Sequence, residues 1–213
     1  MKTDKRGKFI TFEGGDGCGK STQIRFAVEW LQELGYDVLL TREPGGTAIS
    51  EMIRDLLLDL NNDEMTDMTE MLLYAAARAQ LASEVIGPAL KEGRIIICDR
   101  WVDSSIVYQG AARGLGEAVR TVNTFAAGEY FSPDATILLD LDPEEALKRA
   151  SGGNAGDRIE TLGVSYQNKV RNAYLALAAR ENDRIYVVNA YGSQEEVRLR
   201  VRATLNDILD MEI

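Results

Sequence analysis

The 213 residues hold 34 Asp and Glu against 24 Lys and Arg, a net charge of −10, with 45% apolar residues. That is enough chain and hydrophobe for one α/β domain, but too acidic a surface for general binding to nucleic acid or anionic membranes, so any anionic ligand needs a local site. With no histidine and only two cysteines, Cys18 and Cys98, outside any CxxC pair, a disulfide framework, structural zinc and Ser-His-Asp or Cys-His chemistry are excluded.

The N-terminal "MKTDKRGK" is charged and runs straight into a strand-like segment, so no signal peptide is expected. No apolar run approaches the ~20 residues of a membrane helix, and a cytoplasmic enzyme or binding protein fits. "KFITFEG" (8–14) reads as a buried strand. It leads into "GGDGCGKS", Gly14-Gly15-Asp16-Gly17-Cys18-Gly19-Lys20-Ser21, which matches G-x-x-x-x-G-K-[ST] between a strand and a helix. Glycines let successive N–H groups point into a concave nest, and the helix adds its unpaired N–H groups and positive dipole end. Lys20 then reaches the β- and γ-phosphates, and the Ser21 hydroxyl is placed for Mg²⁺. Thr22 follows in the same first turn.

The helix "KSTQIRFAVEWLQELG" (20–35) carries Ile24, Ala27, Val28 and Leu31 on one stripe and stops at Gly35. "YDVLLTR" (36–42) is a second strand, ending in Arg42 and the tight loop Glu43-Pro44-Gly45-Gly46. Arg42 could meet a second phosphate, or the segment could be a plain strand-to-helix turn. Helical patterns follow at 48–59 and 68–93. Within the latter, Tyr74 and Arg78 lie four apart on one face, offering a ring and a fork of donors to a pyrimidine. A core tyrosine beside a solvated arginine would give the same pattern.

"RIIICDR" (94–100) has the apolar, β-branched character of a central parallel strand and ends in Asp99-Arg100. Asp99 could orient a Mg²⁺-bound water or hold its neighbour, and Arg100 suits bidentate contact with phosphate; a salt-bridged strand end would use the same residues. Strands at 134–141 and 183–190 and helices at 143–150, 160–181 and 193–210 complete the chain. Between the fourth strand and the 160–181 helix, "LKRASGGNAGDRIE" (147–160) sets Lys148, Arg149 and Arg158 around a glycine-rich patch, which suits a lid over ATP or an ordinary surface loop. The alternation of strands and helices predicts a mostly parallel sheet with helices on both faces and its ligands at the strands' carboxyl ends.

Taken together, "FITFEGGDGCGKST", "TREPGGT", "LLYAAARAQL", "CDRWVDSSIVYQGAARG", "YFSPDATILLDLDPEEALKR" and "DRIE" resemble, in order and spacing, the thymidylate kinase family, which transfers the γ-phosphate of ATP to thymidine monophosphate (dTMP). The resemblance implies a single three-layer α/β/α domain of the P-loop NTPase fold, with a five-stranded parallel sheet, a short lid at about 148–160 and homodimeric assembly. It implies Asp16 near the acceptor sugar and the metal, and Arg42 and Arg100 around the acceptor phosphate. It also implies Tyr74 stacked on thymine, Arg78 bonded to its carbonyl, Ser105 and Gln109 lining the base pocket, and Tyr108 crowding a ribose 2′-hydroxyl. Two features depart from the family pattern: Trp101 stands where Tyr, His or Phe is usual, and no base precedes Lys20 in the glycine loop. Arg149 and Arg158 are then the candidates for stabilising the transition state, with the choice between them open. The rival readings are a kinase for another pyrimidine or deoxynucleoside acceptor, and a nucleotide switch. GTPase switches usually carry N-K-x-D, which this chain lacks; "VVNA" (187–190) is placed to border adenine instead. The helix 68–93 is apolar on more than one side, through Met71, Leu72, Ala75, Leu81, Val85 and Ile86, as expected of either a dimer face or a large core.

Overall fold

The structure, a computed structural model, describes residues 6–149, the backbone of Ala150 and residues 163–211. Arg158 and most of the expected lid segment lie outside the described residues, as does the start of "MKTDKRGK". Five parallel strands, β1 (Lys8–Glu13), β2 (Val38–Arg42), β3 (Ile95–Asp99), β4 (Ala135–Asp140) and β5 (Ile185–Asn189), stand in the order β2-β3-β1-β4-β5. Arg42 pairs with Asp99, Phe12 with Asp99, Glu13 with Leu138, and Asp140 with Asn189. One carboxyl edge therefore gathers the ends of all five strands.

Alternation along the strands fills both faces. Ile10 and Phe12 of β1, Ile95 and Ile97 of β3, and Ile137 and Leu139 of β4 pack with α1 (Lys20–Glu33) and α9 (Gln194–Ile208). Phe9, Ile96 and Cys98 point the other way, against Leu81, Ile86, Leu90 and Trp101. Leu138 joins Val170, Tyr174 and Leu177 of α8 (Gly163–Arg180). Fully burying each large apolar side chain contributes about 1.5–3 kcal/mol, and two-sided burial explains the near-continuous apolar runs of the central strands β1, β3 and β4, whereas Leu40 of β2 and Val187 of β5, on the edge strands, are exposed.

The remaining helices are α2 (Ala48–Leu58), α3 (Asp67–Leu81), α4 (Gly87–Lys91), α5 (Val102–Ser105), α6 (Glu117–Ala127) and α7 (Pro143–Ala150). The segment read as one helix over 68–93 is α3 and α4 joined by a π-helical turn, Ala82–Ile86. Of its apolar residues, Met71, Ala75, Leu81 and Ile86 are core, whereas Leu72 is exposed. The expected strand over 94–100 is one residue shorter at each end, Ile95–Asp99, and Arg100 at φ 69 has a left-handed backbone outside the β region.

Candidate active site

The glycine loop does what its composition demands. Gly14 (φ +142) and Gly17 (φ +76) sit so close to neighbouring backbone that an added Cβ would stand 2.7 Å from the Leu139 carbonyl oxygen and 2.8 Å from that of Ala146. No larger residue fits either place. The loop delivers α1 with Gly19 at its N-cap, no capping side chain and no acidic residue in the first turn. By contrast α2, α3 and α9 are capped by Thr47, Thr66 and Ser193. The unsatisfied N–H groups and dipole of α1, with Lys20, Ser21 and Thr22 in its first turn, are thus left for an anion. Lys20 is buried, and its Nζ lies 3.6 Å from Asp99 Oδ1 at the end of β3.

Beside the loop opens a cleft of about 560 Å³ including its mouth. Its polar lining includes Asp16, Glu43, Arg54, Arg78, Arg100 and Gln109, and Tyr74 and Tyr108 add aromatic residues to the lining. Tyr74 and Arg78 share one face of α3 as their spacing requires. The arginine is not solvated, however: it is 1% exposed, and its five N–H groups are all engaged. Nε and Nη2 donate to Glu43 Oε2 at 2.8 and 2.6 Å, Nη1 to Ser105 Oγ at 3.0 Å and to Asn123 Oδ1, and Nη2 to the Trp101 carbonyl at 3.2 Å. The Trp101 ring lies 5.4 Å from the guanidinium, and its Nε1 donates to the Tyr130 carbonyl at 2.9 Å. The extra bulk of Trp101 is therefore absorbed by the core, edge-on to Phe9 at 5.1 Å.

Ser105, Tyr108 and Gln109 come from α5 and the π-helical segment Ile106–Ala112 that continues it. Gln109 Nε2 donates to Glu70 Oε1 at 2.9 Å. Arg100 projects between cleft and loop. It pairs with Asp16, donates to the Gly14 carbonyl at 3.2 Å, and lies 5.3 Å from the centre of the Tyr108 ring. Asp16 also lines a second cleft, on the far side of the loop, bounded by Leu139, Ala146, Gln167 and Arg171.

Burial shapes the acids here. It pushes the Glu43 carboxyl up to about 7 against the pull of Arg78, and raises Glu13, with Asp103 adding to the effect and Arg100 opposing it. It likewise raises the Cys18 and Cys98 thiols, which leaves both as packed, un-ionised groups. Among the described residues, no group of three or more Cys, Asp or Glu side chains is disposed to hold a metal ion. Mg²⁺ bound with substrate phosphates needs only one or two protein oxygens. Asp99 Oδ1, buried and without a hydrogen-bond partner, and the exposed Ser21 fit that requirement.

The structure gathers Asp16, Glu43, Pro44, Tyr74, Arg78, Arg100, Ser105, Tyr108 and Gln109 around one cleft. Arg42 is not among the lining residues: its side chain is 51% exposed and lies 2.8 Å from Glu51. Arg54 lines the cleft, donating to the Pro44 carbonyl at 2.8 Å. The sequence reading missed it, although Arg54 and Leu58, four apart on α2, both line the cleft. Arg149 donates to the Ala190 carbonyl at 3.0 Å, beside the end of β5, and approaches Glu145 at 3.5 Å.

The chain matches the Thymidylate kinase family over residues 12–201. It is 48% identical over 207 residues to a thymidylate kinase of Thermoanaerobacter sp. (strain X514), covering 97% of each chain. It is 50% identical over 202 residues to one of Symbiobacterium thermophilum, covering 94% of each. The crystal structure of thymidylate kinase from Ehrlichia chaffeensis superposes with a TM-score of 0.76 at 31% identity, over 94% of this chain and 99% of that one.

Proposed function

This chain belongs to the thymidylate kinase family, and from that premise we propose that it transfers the γ-phosphoryl group of ATP to dTMP, giving dTDP and ADP in dTTP synthesis. The observation that carries the reading is the Asp16–Arg100 pair, which joins the glycine loop to the neighbouring cleft. A donor on the loop and an acceptor in the cleft would meet there.

Phosphoryl transfer needs in-line positioning and charge neutralisation more than covalent help. The acceptor is already a phosphate, so no strong base is required, in keeping with a chain without histidine. The α1 amides and Lys20 hold the donor's phosphates, while Arg100 and Arg54 hold the acceptor phosphate. Tyr74 stacks on the base. Arg78, saturated by Glu43, Ser105, Asn123 and the Trp101 carbonyl, must exchange a bond to reach the thymine carbonyl, or else shape the pocket through its neighbours. Tyr108 closes the sugar side. Ser21 and Asp99 would hold Mg²⁺, which supplies charge neutralisation to the phosphates when bound. "VVNA" borders the adenine, and Arg149, bonded to the Ala190 carbonyl, and Arg158, outside the described residues, are the two candidates for the transferring phosphate.

Two further parts of the reading are a homodimer and a cytoplasmic location. The first is supported by exposed apolar side chains on packed helices, Met68 and Leu72 of α3 and Phe125 of α6. The second is in keeping with two buried, free thiols. ADP release across a panel of nucleoside monophosphates tests the central claim. dTMP should be the best acceptor; preference for a cytidine or uridine acceptor would defeat it, as would slow hydrolysis that no acceptor stimulates.

A further inference from the structure

Arg100 holds the acceptor phosphate in the proposed reaction, yet its backbone is left-handed at φ 69, a conformation that crowds the Cβ of an L-residue against the following carbonyl oxygen. Something must over-determine that conformation. Its own N–H donates to the Phe12 carbonyl at 3.0 Å, and its carbonyl accepts from Cys98 Sγ at 3.0 Å. The next N–H, that of Trp101, donates to Glu13 Oε1 at 2.8 Å.

Trp101 is also the N-cap of α5, and it makes no side-chain capping bond. The missing acceptor comes from another element. Glu13 Oε1 takes the Ser104 N–H at 3.3 Å, the N3 position that an N-cap side chain ordinarily serves. Glu13 Oε2 accepts from Ser104 Oγ at 2.6 Å and from the Tyr174 hydroxyl of α8 at 2.7 Å. The four acceptor sites of a carboxylate are thus filled. Glu13 is 0% exposed and lines neither cleft, so it has no lone pair and no path with which to contact a nucleotide or metal. Ser104 lines the acceptor cleft and Tyr174 the cleft across the loop.

We propose that Glu13 is a positioning residue for the acceptor cleft: from β1 it caps the helix that bears Ser105, Tyr108 and Gln109, and it holds Arg100 in its left-handed backbone. The inference rests on the kinase reading above, which the unsubstituted chain's turnover of dTMP tests separately.

The experiment compares Glu13→Ala, Glu13→Gln and Tyr174→Phe by steady-state kinetics for each nucleotide and by thermal melting. Misplacing a reacting group by ~1 Å costs about 10²-fold, so Glu13→Ala should lower kcat/KM for dTMP by about that factor while KM for ATP moves less than about twofold. Glu13→Gln should restore most of the loss, because its oxygen still accepts both N–H groups and its NH₂ can donate to Ser104 Oγ and Tyr174 Oη. Tyr174→Phe removes one bond of the four and should lower kcat/KM for dTMP by about tenfold; it carries the test if Glu13→Ala does not fold. A lowered melting temperature with dTMP kinetics unchanged in either Glu13→Ala or Tyr174→Phe would overturn the proposal. So would a Glu13→Gln enzyme as impaired as Glu13→Ala.

Discussion

Asp16 of the glycine loop and Arg100 beyond β3 form a charge-assisted ion pair, with side chains 26% and 19% exposed, at the junction of the loop and the neighbouring cleft. Arg100 keeps bonds to the Gly14 carbonyl, Ser104 and Tyr108 without Asp16. Asp16→Asn should therefore stay folded while losing the charge that fixes the guanidinium between two anions. The expected result is a fall in kcat of about 10²-fold with a nearly unchanged melting temperature, measured by coupled ADP release and calorimetry.

Lys20 is buried at the base of the loop, and its ammonium faces Asp99 at 3.6 Å. Removing a preorganised donor to developing charge costs about 2.7–4 kcal/mol of barrier, or 10²–10³ in rate. Lys20→Ala should lose at least that much turnover and keep its circular dichroism spectrum. Near-normal turnover would refute the assignment of the loop.

Arg54 and Arg42 both lie near the TREPGGT segment, but Arg54 lines the cleft and Arg42 rests on Glu51 at the surface. Exposed ion pairs contribute only about 0–1 kcal/mol, so little binding energy is tied up in the latter. Arg54→Ala should raise KM for dTMP at least tenfold more than Arg42→Ala does. Equal effects in the two titrations would place the acceptor phosphate elsewhere.

Burial raises the Glu43 carboxyl from 4.5 to about 7 although Arg78 opposes the shift. The folded protein therefore binds this proton more tightly than the unfolded chain does. The stabilisation that follows is fully present below 4.5 and lost as pH rises through about 7. Melting temperatures of the unsubstituted chain, compared with Glu43→Gln across this range, should fall relative to the variant as pH rises. A pH-independent difference would contradict the shift.

The side chain of Phe125 is 85% exposed and that of Leu72 is 49% exposed, on helices that pack together. If that face is the dimer contact, the double variant Leu72→Arg, Phe125→Arg should sediment as a monomer where the unsubstituted chain sediments as a dimer. A monomeric unsubstituted chain would end that reading.

The sequence alone determined the features governed by short-range rules. Glycine density between a strand and a helix marks a backbone nest, apolar runs mark strands buried on both faces, and the spacing of Tyr74 and Arg78 puts them on one helical face. These follow from φ/ψ limits and from periods of 2 and 3.6 residues, which act within a few positions of the chain. Only the tertiary structure decided which charges find partners. Arg78 is saturated through Glu43, Ser105, Asn123 and Trp101. Arg54 lines the cleft and Arg42 does not, and Glu13 caps a helix 88 residues further along the chain. Such pairings depend on strand order and on which helix crosses which strand end. No local period encodes them, because the free energy of a buried charge is set by its neighbours in space.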